Sequence, residues 1–196
     1  MIDLELLEQV IVEIRELYDL FTAEFYGRVQ TKQLVNLKKL LVDDFVMTGG
    51  LVNADNYIDS LSRTDVSLIG SIERDYIYWK FQYRVKFLAS LKVKVGHNLD
   101  KHRYVAKVVN DLVGTRIIVG HLNRNFDEVE EVLVRLLKRQ VISRYYLRED
   151  GKYRAIHCYF QSENRYFPWE LQIWDTADAT ANFREHARHD LEKGRS

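Results

Sequence analysis

The sequence predicts an α+β fold, in which a mixed sheet of about five strands is flanked by helices and preceded by an N-terminal helical layer. Two observations support this class. Over the first 70 residues, apolar side chains recur every three or four positions, which is the spacing of amphipathic helices. From residue 77, apolar and polar side chains alternate, as they do in a strand with one buried face. We therefore expect a helical layer over residues 1–70 and one compact sheet domain over residues 71–196.

Three helices are predicted in the helical layer. The first covers residues 4–25, and the second covers residues 34–45 and ends before a pair of glycines. Asn53 or Asp55 is the expected N-cap of the third. The sheet domain opens with a strand over residues 77–87. The other predicted elements are a short helix capped by Ser90, strands over 115–120, 153–160 and 169–174, and helices over 127–139 and 179–193.

The composition is ordinary for a globular protein, with 46% hydrophobic and 30% charged residues. The 29 basic and 29 acidic residues cancel, so the total charge does not indicate a nucleic-acid-binding protein. No apolar run approaches the roughly 18–20 residues that span a bilayer, and the acidic start lacks the basic opening of a signal peptide. The single cysteine, Cys158, excludes an internal disulfide, and the sequence shows no set of zinc ligands. We expect the protein in the cytoplasm.

The charges are unevenly distributed along the chain. Residues 1–20 hold six carboxylates and one cation, whereas residues 135–154 hold seven cations and two carboxylates. Such asymmetry suggests an anionic ligand near the basic segment. A solvated helix face and turn would give the same counts, and the counts alone favour that interpretation.

Two clusters of charged residues lie early in the sheet domain. On a strand, Arg84 and Lys86 point the same way, about 7 Å apart. Paired cations suit a polyphosphate, because Arg grips two oxygens while Lys acts as a point charge. Asp111, followed by Gly114 and Arg116, could place a magnesium ligand beside another phosphate or base contact. An exposed strand face and a turn with an incidental arginine are the alternative interpretations.

Two further clusters lie on the last predicted strands. Tyr153 and His157 share a face with a small alanine between them, which leaves room for a stacked base. A half-buried tyrosine and a structural histidine explain the pattern equally well. Glu170, Gln172 and Trp174 face one side of an apolar strand, where charged residues are rare unless paired or functional. Phosphoryl transfer needs metal-binding carboxylates and a group that helps deprotonate the attacking hydroxyl. Asp111 and Glu170 are the candidates for these two tasks.

Taken together, these clusters resemble the RelA/SpoT synthetase family, the alarmone synthetases. The resemblance covers roughly residues 75–193 and includes five motifs in order. The matching positions are Arg84, Lys86, Ser90 and Lys94, then Asp111, Gly114 and Arg116, then residues 152–157, then residues 170–174, and finally Glu185 with His186. A helical N-terminus is also what the short, single-domain members of the family have.

The resemblance implies transfer of the β,γ-pyrophosphate of ATP to the ribose 3′-hydroxyl of GDP or GTP, with Mg²⁺ as cofactor. Glu170 would bind magnesium and also help to activate the acceptor hydroxyl. The other implied contacts are ATP with Arg84, Lys86, Ser90, Lys94 and Arg116, magnesium with Asp111, and the acceptor with Tyr153, His157, Gln172 and Trp174.

Two positions depart from the family pattern, because Lys152 replaces a glycine and Trp174 replaces an arginine. Trp174 removes a cation that could bind acceptor phosphates and adds a stacking surface, which suits a nucleotide at the end of a nucleic acid. Some short members that this chain resembles are toxins that pyrophosphorylate the 3′ end of tRNA. Arg139, Arg144 and Arg148 could follow an RNA backbone. We therefore expect the tRNA 3′ end as acceptor in preference to GDP or GTP.

Partners and alternatives follow from the same residues. A toxic product would require a separate antitoxin protein, and a homo-oligomer is compatible with the sequence. The sequence offers no second, hydrolase site, so the expected protein makes product without degrading it. A catalytically silent nucleotide-binding regulator is the alternative of another class, and the intact Asp111 and Glu170 argue against it. A nucleotidyltransferase usually needs two nearby carboxylates at one strand, and the sequence shows no such pair.

Overall fold

The frame of the molecule is a five-stranded mixed sheet, which confirms the predicted fold class. The computed structural model describes residues 2–28, 34–63 and 67–193. The strands are β1 (Gln82–Val85), β2 (Val113–Val119), β3 (Arg144–Asp150), β4 (Tyr153–Phe160) and β5 (Trp169–Asp175). Their order is β1-β2-β5-β4-β3, in which β2 and β5 are parallel and the other neighbours are antiparallel.

Helices precede the sheet and connect its strands. They are α1 (Leu4–Gly27), α2 (Val42–Met47), α3 (Gly50–Arg63), α4 (Ser67–Asp75), α5 (Leu88–Gly96), α6 (Val105–Val108), α7 (Phe126–Lys138) and α8 (Ala179–Lys193). Asp3 caps α1, because its carboxylate accepts the backbone N–H of Leu6 at 3.0 Å. Among the described residues, no helix is both long and apolar enough to cross a membrane.

The inner face of the sheet packs against the N-terminal helices in one hydrophobic core. Trp169 of β5 lies at this contact. Its Nε1–H donates to the hydroxyl of Tyr57 on α3 at 2.7 Å, and Tyr18 of α1 meets its ring edge-on. Alternation along β4 and β5 sends every second side chain into the core. Each large apolar side chain contributes roughly 1.5–3 kcal/mol on burial, so the helices and the sheet stabilise one another.

The second predicted helix is much shorter than its apolar pattern indicates. Helix α2 begins at Val42, and the preceding segment pairs with distant parts of the chain. The N–H of Leu37 donates to the carbonyl of Asn164 at 2.8 Å, and the N–H of Val105 donates to the carbonyl of Leu40 at 2.9 Å. These tertiary hydrogen bonds replace the bonds of a helix. The prediction over residues 34–45 is therefore wrong for residues 34–41.

The predicted N-caps are also wrong. Helix α3 begins at Gly50, directly after Gly49 in a left-handed conformation (φ 79°), so Asn53 and Asp55 lie inside the helix. Glycine adopts this conformation without the steric penalty of a Cβ. Ser90 lies within the first turn of α5, whose N-cap is Phe87.

The first predicted strand is shortened, and one strand was not predicted. Ile77–Trp79 form a 3₁₀ turn and Lys80 is left-handed (φ 48°), so β1 starts only at Gln82. Strand β3 is exposed along most of its length, and its charged sequence hides the alternation. The remaining predicted strands and helices agree with the structure to within two residues at each end.

Candidate active site

The outer face of the sheet carries polar side chains in rows that cross the strands. Because side chains alternate between faces, residues paired in register stand side by side on the same face. One row, from β1 to β3, is Arg84, Gly114, Glu170, Tyr159 and Arg144. The next row is Gln82, Arg116, Gln172, His157 and Tyr146. Two of the predicted motif arginines, Arg84 and Arg116, therefore lie on the same face of the sheet as the predicted carboxylate Glu170.

A cavity of 460 Å³ opens over β1, β2 and β5. Gly114 lies between Arg84 and Glu170 in register, and a Cβ there would have no described atom within 4 Å. The glycine thus leaves open space between a cation and a carboxylate. The polar side chains that line this cavity are Glu73, Gln82, Arg84, Arg116, Glu170 and Gln172. Its volume lies in the range of small-ligand sites.

Glu170 is buried and held by three hydrogen-bond donors. The Nδ1 of His157 lies 2.9 Å from Oε1, the hydroxyl of Tyr159 donates to Oε1 at 2.7 Å, and Nε2 of Gln172 donates to Oε2 at 2.9 Å. Burial by itself raises the pKa of Glu170, but the hydrogen bonds from His157 and Tyr159 outweigh it and the pKa is lowered. The carboxylate is therefore ionised and fixed in orientation.

Tyr153 and His157 contact this carboxylate system. The hydroxyl of Tyr153 lies 3.0 Å from Nε2 of His157, which is consistent with His157 donating from Nδ1 to Glu170 and accepting from Tyr153. The ring of Tyr146 stacks on His157 with centroids 5.3 Å apart, and the guanidinium of Arg148 lies 5.2 Å from the ring centre of Tyr153. Both predicted acceptor residues are buried, so a base could stack on Tyr153 only after this cover moves.

Asp111 lies between two lysines. The Nζ of Lys86 donates to Oδ2 at 2.7 Å, and the Nζ of Lys94 donates to Oδ1 at 3.0 Å and to Oδ1 of Asn110 at 3.1 Å. Burial raises the pKa of Asp111, but the charges of Lys94 and Lys86 outweigh burial and lower the pKa to about 2. Burial likewise lowers the pKa of Lys86. The motif lysines and the motif aspartate form one ionic cluster.

The donor set fits magnesium that is bound largely through a ligand's phosphates. Mg²⁺ prefers oxygen ligands and commonly uses one or two carboxylates together with phosphates and water. Glu170 lines the cavity, and Oε2 accepts one hydrogen bond within the described residues. Asp111 offers two oxygens, each now held by an ammonium group. No group of three or more His, Cys, Asp or Glu among the described residues could hold a metal ion by itself.

Trp174 supports Arg116 and presents no stacking surface. The guanidinium of Arg116 lies 3.7 Å from the centre of the Trp174 ring, and Phe183 of α8 packs against the same ring at 5.0 Å. The guanidinium also donates to Oε1 of Gln172 at 3.2 Å, and burial lowers the pKa of Arg116 to about 10. Because Trp174 is fully buried, a base stacked on it is incompatible with this arrangement.

The three arginines predicted to contact RNA lie in two places. Arg144 and Arg148 are on the outer face of β3, on either side of Tyr146. Arg144 lies in the row of Glu170, whereas Arg148 lies opposite Ala155 of β4, beyond the row of His157. Arg139 instead pairs with Glu8 of α1 at 2.5 Å. The structure therefore separates Arg139 from the site face.

The remaining motif residues lie at the edges of the site. Ser90 is exposed in the first turn of α5, one turn before Lys94. Glu185 of α8 pairs with Arg188 at 2.7 Å. The side chain of His186 lies outside the described part of the chain.

Four residues of the site were not predicted, namely Glu73, Gln82, Tyr146 and Tyr159. Tyr159 could have been found, because it follows Tyr153 and His157 on the same face of a correctly predicted strand. Tyr146 lies on the strand that was missed. Glu73 reaches the cavity from α4, and no sequence motif connects this helix with the sheet.

No family model and no curated protein matches the sequence. Among solved structures, the fold is similar to the small alarmone synthetase 2 of Bacillus subtilis, with 19% identity over 74% of this chain and 82% of that chain, at a TM-score of 0.41. It is also similar to the small alarmone synthetase 1 of the same organism bound to its product pppGpp, with 22% identity over 76% of this chain and 80% of that chain, at a TM-score of 0.38. A second structure of synthetase 1 has 19% identity over 76% of this chain and 82% of that chain, at a TM-score of 0.40. All three belong to the group that the sequence motifs resemble.

Proposed function

We propose that this protein transfers the β,γ-pyrophosphate of ATP to a ribose 3′-hydroxyl, with Mg²⁺ as cofactor. The observation that carries the proposal is the ionised carboxylate of Glu170, which lines a cavity together with Arg84 and Arg116. This reaction needs cations that bind a polyphosphate and a group that accepts a proton at the same place. The site offers both.

The donor side consists of four cations. Arg84 and Arg116 line the cavity, and Lys86 and Lys94 stand beside them on the connection from β1 to α5 and on α5 itself. The oxygens of a triphosphate accept charge-assisted hydrogen bonds from such groups. When the triphosphate oxygens bind Lys86 and Lys94, Asp111 would lose the two ammonium groups that it now pairs with and could then bind magnesium. When bound, the metal would neutralise charge that develops on the phosphates.

The transfer step uses Glu170 as the proton acceptor. The 3′-oxygen of the acceptor bonds to the β-phosphorus of ATP, the bond from that phosphorus to the oxygen bridging to the α-phosphate breaks, and AMP leaves. The proton of the hydroxyl passes to Glu170. His157, Tyr159 and Gln172 hold this carboxylate in place during the step.

The acceptor in this proposal is the 3′ end of tRNA. Arg144, Tyr146 and Arg148 support it, because they place two cations and one aromatic ring along the exposed face of β3, with only β4 between that strand and Glu170. Such a row suits a single-stranded RNA end, whose phosphates pair with cations and whose bases stack. The product would stop translation, so an antitoxin protein is a proposed partner. GDP or GTP is the alternative acceptor, whose phosphates the same arginines could contact.

The test is label transfer from [γ-³²P]ATP with GDP, GTP and bulk tRNA as separate acceptors. We expect label on intact tRNA and loss of its aminoacylation. Label on a small guanosine polyphosphate alone would contradict the tRNA acceptor and keep pyrophosphate transfer. Label on no acceptor, together with measurable ATP binding, would favour the catalytically silent regulator.

A further inference from the structure

Tyr159 contacts the proposed catalytic carboxylate although it lies outside every motif described above. It stands on β4 directly opposite Glu170 of β5, on the same face of the sheet. Its hydroxyl donates to Oε1 of Glu170 at 2.7 Å, the shortest of the three hydrogen bonds that this carboxylate accepts from described residues. The side chain is buried, so water does not compete for this bond.

The hydrogen bonds make the two oxygens of Glu170 unequal. A carboxylate oxygen has two lone-pair positions. Oε1 uses both, for the ring nitrogen of His157 and for the hydroxyl of Tyr159. Oε2 accepts one bond from a described residue, that of Gln172, and one position remains for a ligand. Oε2 is therefore the oxygen that can meet an acceptor hydroxyl.

The hydroxyl of Tyr159 is itself held in one direction. Its single proton goes to Glu170, so in the 3.2 Å contact between Tyr146 and Tyr159 the hydroxyl of Tyr146 is the donor. The guanidinium of Arg144 lies 4.0 Å from the centre of the Tyr159 ring and fixes its plane. Tyr146 is 40% exposed, so this chain of hydrogen bonds runs from the surface of β3 to the carboxylate.

We propose that Tyr159 is a positioning residue that fixes the rotation of the Glu170 carboxylate and thereby presents Oε2 to the acceptor hydroxyl. The inference rests on the proposed function and deepens it. Without Tyr159, His157 would hold Oε1 and Gln172 would hold Oε2 through one hydrogen bond each, which leaves the carboxylate freer to tilt about its Cγ–Cδ bond. A second donor on the same oxygen removes this freedom. The effect belongs to the transfer step and not to the binding of ATP.

The test compares tyrosine-to-phenylalanine variants, which keep the ring and remove one hydroxyl. Tyr159→Phe should lower kcat about 10- to 100-fold, the range for losing a hydrogen bond to a charged group, with KM for ATP unchanged. Losing this buried bond should also lower the melting temperature modestly, so the split between kcat and KM is the deciding readout. Tyr146→Phe removes the next hydroxyl along the chain and should lower kcat less than Tyr159→Phe. Tyr145→Phe is the matched control, since Tyr145 points to the other face of β3, toward Glu130, and should keep wild-type kcat.

If wild-type protein transfers label, two outcomes would overturn the role of Tyr159 without contradicting the proposed function. One is an unchanged kcat in Tyr159→Phe. The other is a loss of kcat accompanied by an equally large rise of KM for ATP, which would show that the substitution disturbs the whole site and not the carboxylate alone. Wild-type protein that labels neither GDP, GTP nor tRNA would overturn the proposed function and this inference with it.

Discussion

At the scale of single residues, Glu170 is the side chain on which the proposed reaction depends. We expect Glu170→Gln to reduce label transfer by at least about 100-fold, because an amide cannot take up the proton of the hydroxyl. Affinity for a non-hydrolysable ATP analogue should change little, since the cations that hold the phosphates remain. Titration calorimetry measures the second quantity. Transfer within tenfold of wild type would contradict the role of Glu170 as base.

Asp111→Asn tests the ionic cluster and should also affect stability. The folded-state pKa of Asp111 is about 2, below its ordinary value of 3.8. The carboxylate therefore stabilises the fold fully above about pH 4, and this contribution is lost as pH falls toward 2. The asparagine variant should be less stable at neutral pH by roughly 1–3 kcal/mol. Its free energy of unfolding should also fall less between about pH 4 and about pH 2 than that of wild type. Denaturant unfolding across this pH range measures both quantities. The same loss of stability in acid for wild type and variant would contradict a stabilising role of ionised Asp111.

Trp174→Arg tests whether the buried tryptophan supports Arg116. The new guanidinium would lie against that of Arg116 at a fully buried position, where an unpaired charge is strongly unfavourable. We expect a clearly lower melting temperature by circular dichroism. Trp174→Phe keeps an aromatic ring under Arg116 and is the matched control. Unchanged stability in the arginine variant would mean that α8 moves away and opens the site.

At the scale of elements, β3 distinguishes between the two acceptors. Charge reversal at Arg144 and Arg148 should sharply reduce labelling of tRNA and leave ATP affinity unchanged. The salt dependence of tRNA binding should also become shallower, by about 0.7 in log–log slope for each lost phosphate contact. Arg139→Glu is the control, since Arg139 pairs with Glu8 away from the site face. Equal losses in the Arg139 variant and in the β3 variants would contradict a specific RNA contact on β3.

How far an element could be predicted depended on what surrounds it. Residues 153–160 and 169–174 were placed well, because burial of one face imposes alternation. Strand β3 was missed because it is an edge strand whose charged residues obscure that signal. Residues 34–45 have helical spacing, yet their backbone pairs with segments far away in sequence. The motif residues of the site could be predicted, but their partners, such as Tyr159 for Glu170, depend on strand register.

At the scale of the whole molecule, the shared core predicts one unfolding transition. The hydrogen bond from Trp169 to Tyr57 joins the sheet to the helical layer. Trp169→Phe removes it and leaves a buried hydroxyl unpaired, so we expect a loss of about 1–3 kcal/mol within a single transition. Circular dichroism and tryptophan fluorescence should give coincident curves for wild type. Two separated transitions would show that residues 1–70 fold independently.

If the protein binds ATP as proposed, the cluster of Lys86, Asp111 and Lys94 would make binding an exchange of one anion for another. Both ammonium groups have already lost much of their water to a carboxylate when the protein folds. An incoming phosphate therefore meets preorganised and partly dehydrated cations, which is a condition for tight binding. A small anion gains little, since it only replaces an equivalent partner. A triphosphate gains more, because it is long enough to engage Arg84 and Arg116 as well. On the proposed function, Asp111 would therefore favour polyanions over small anions at these two lysines.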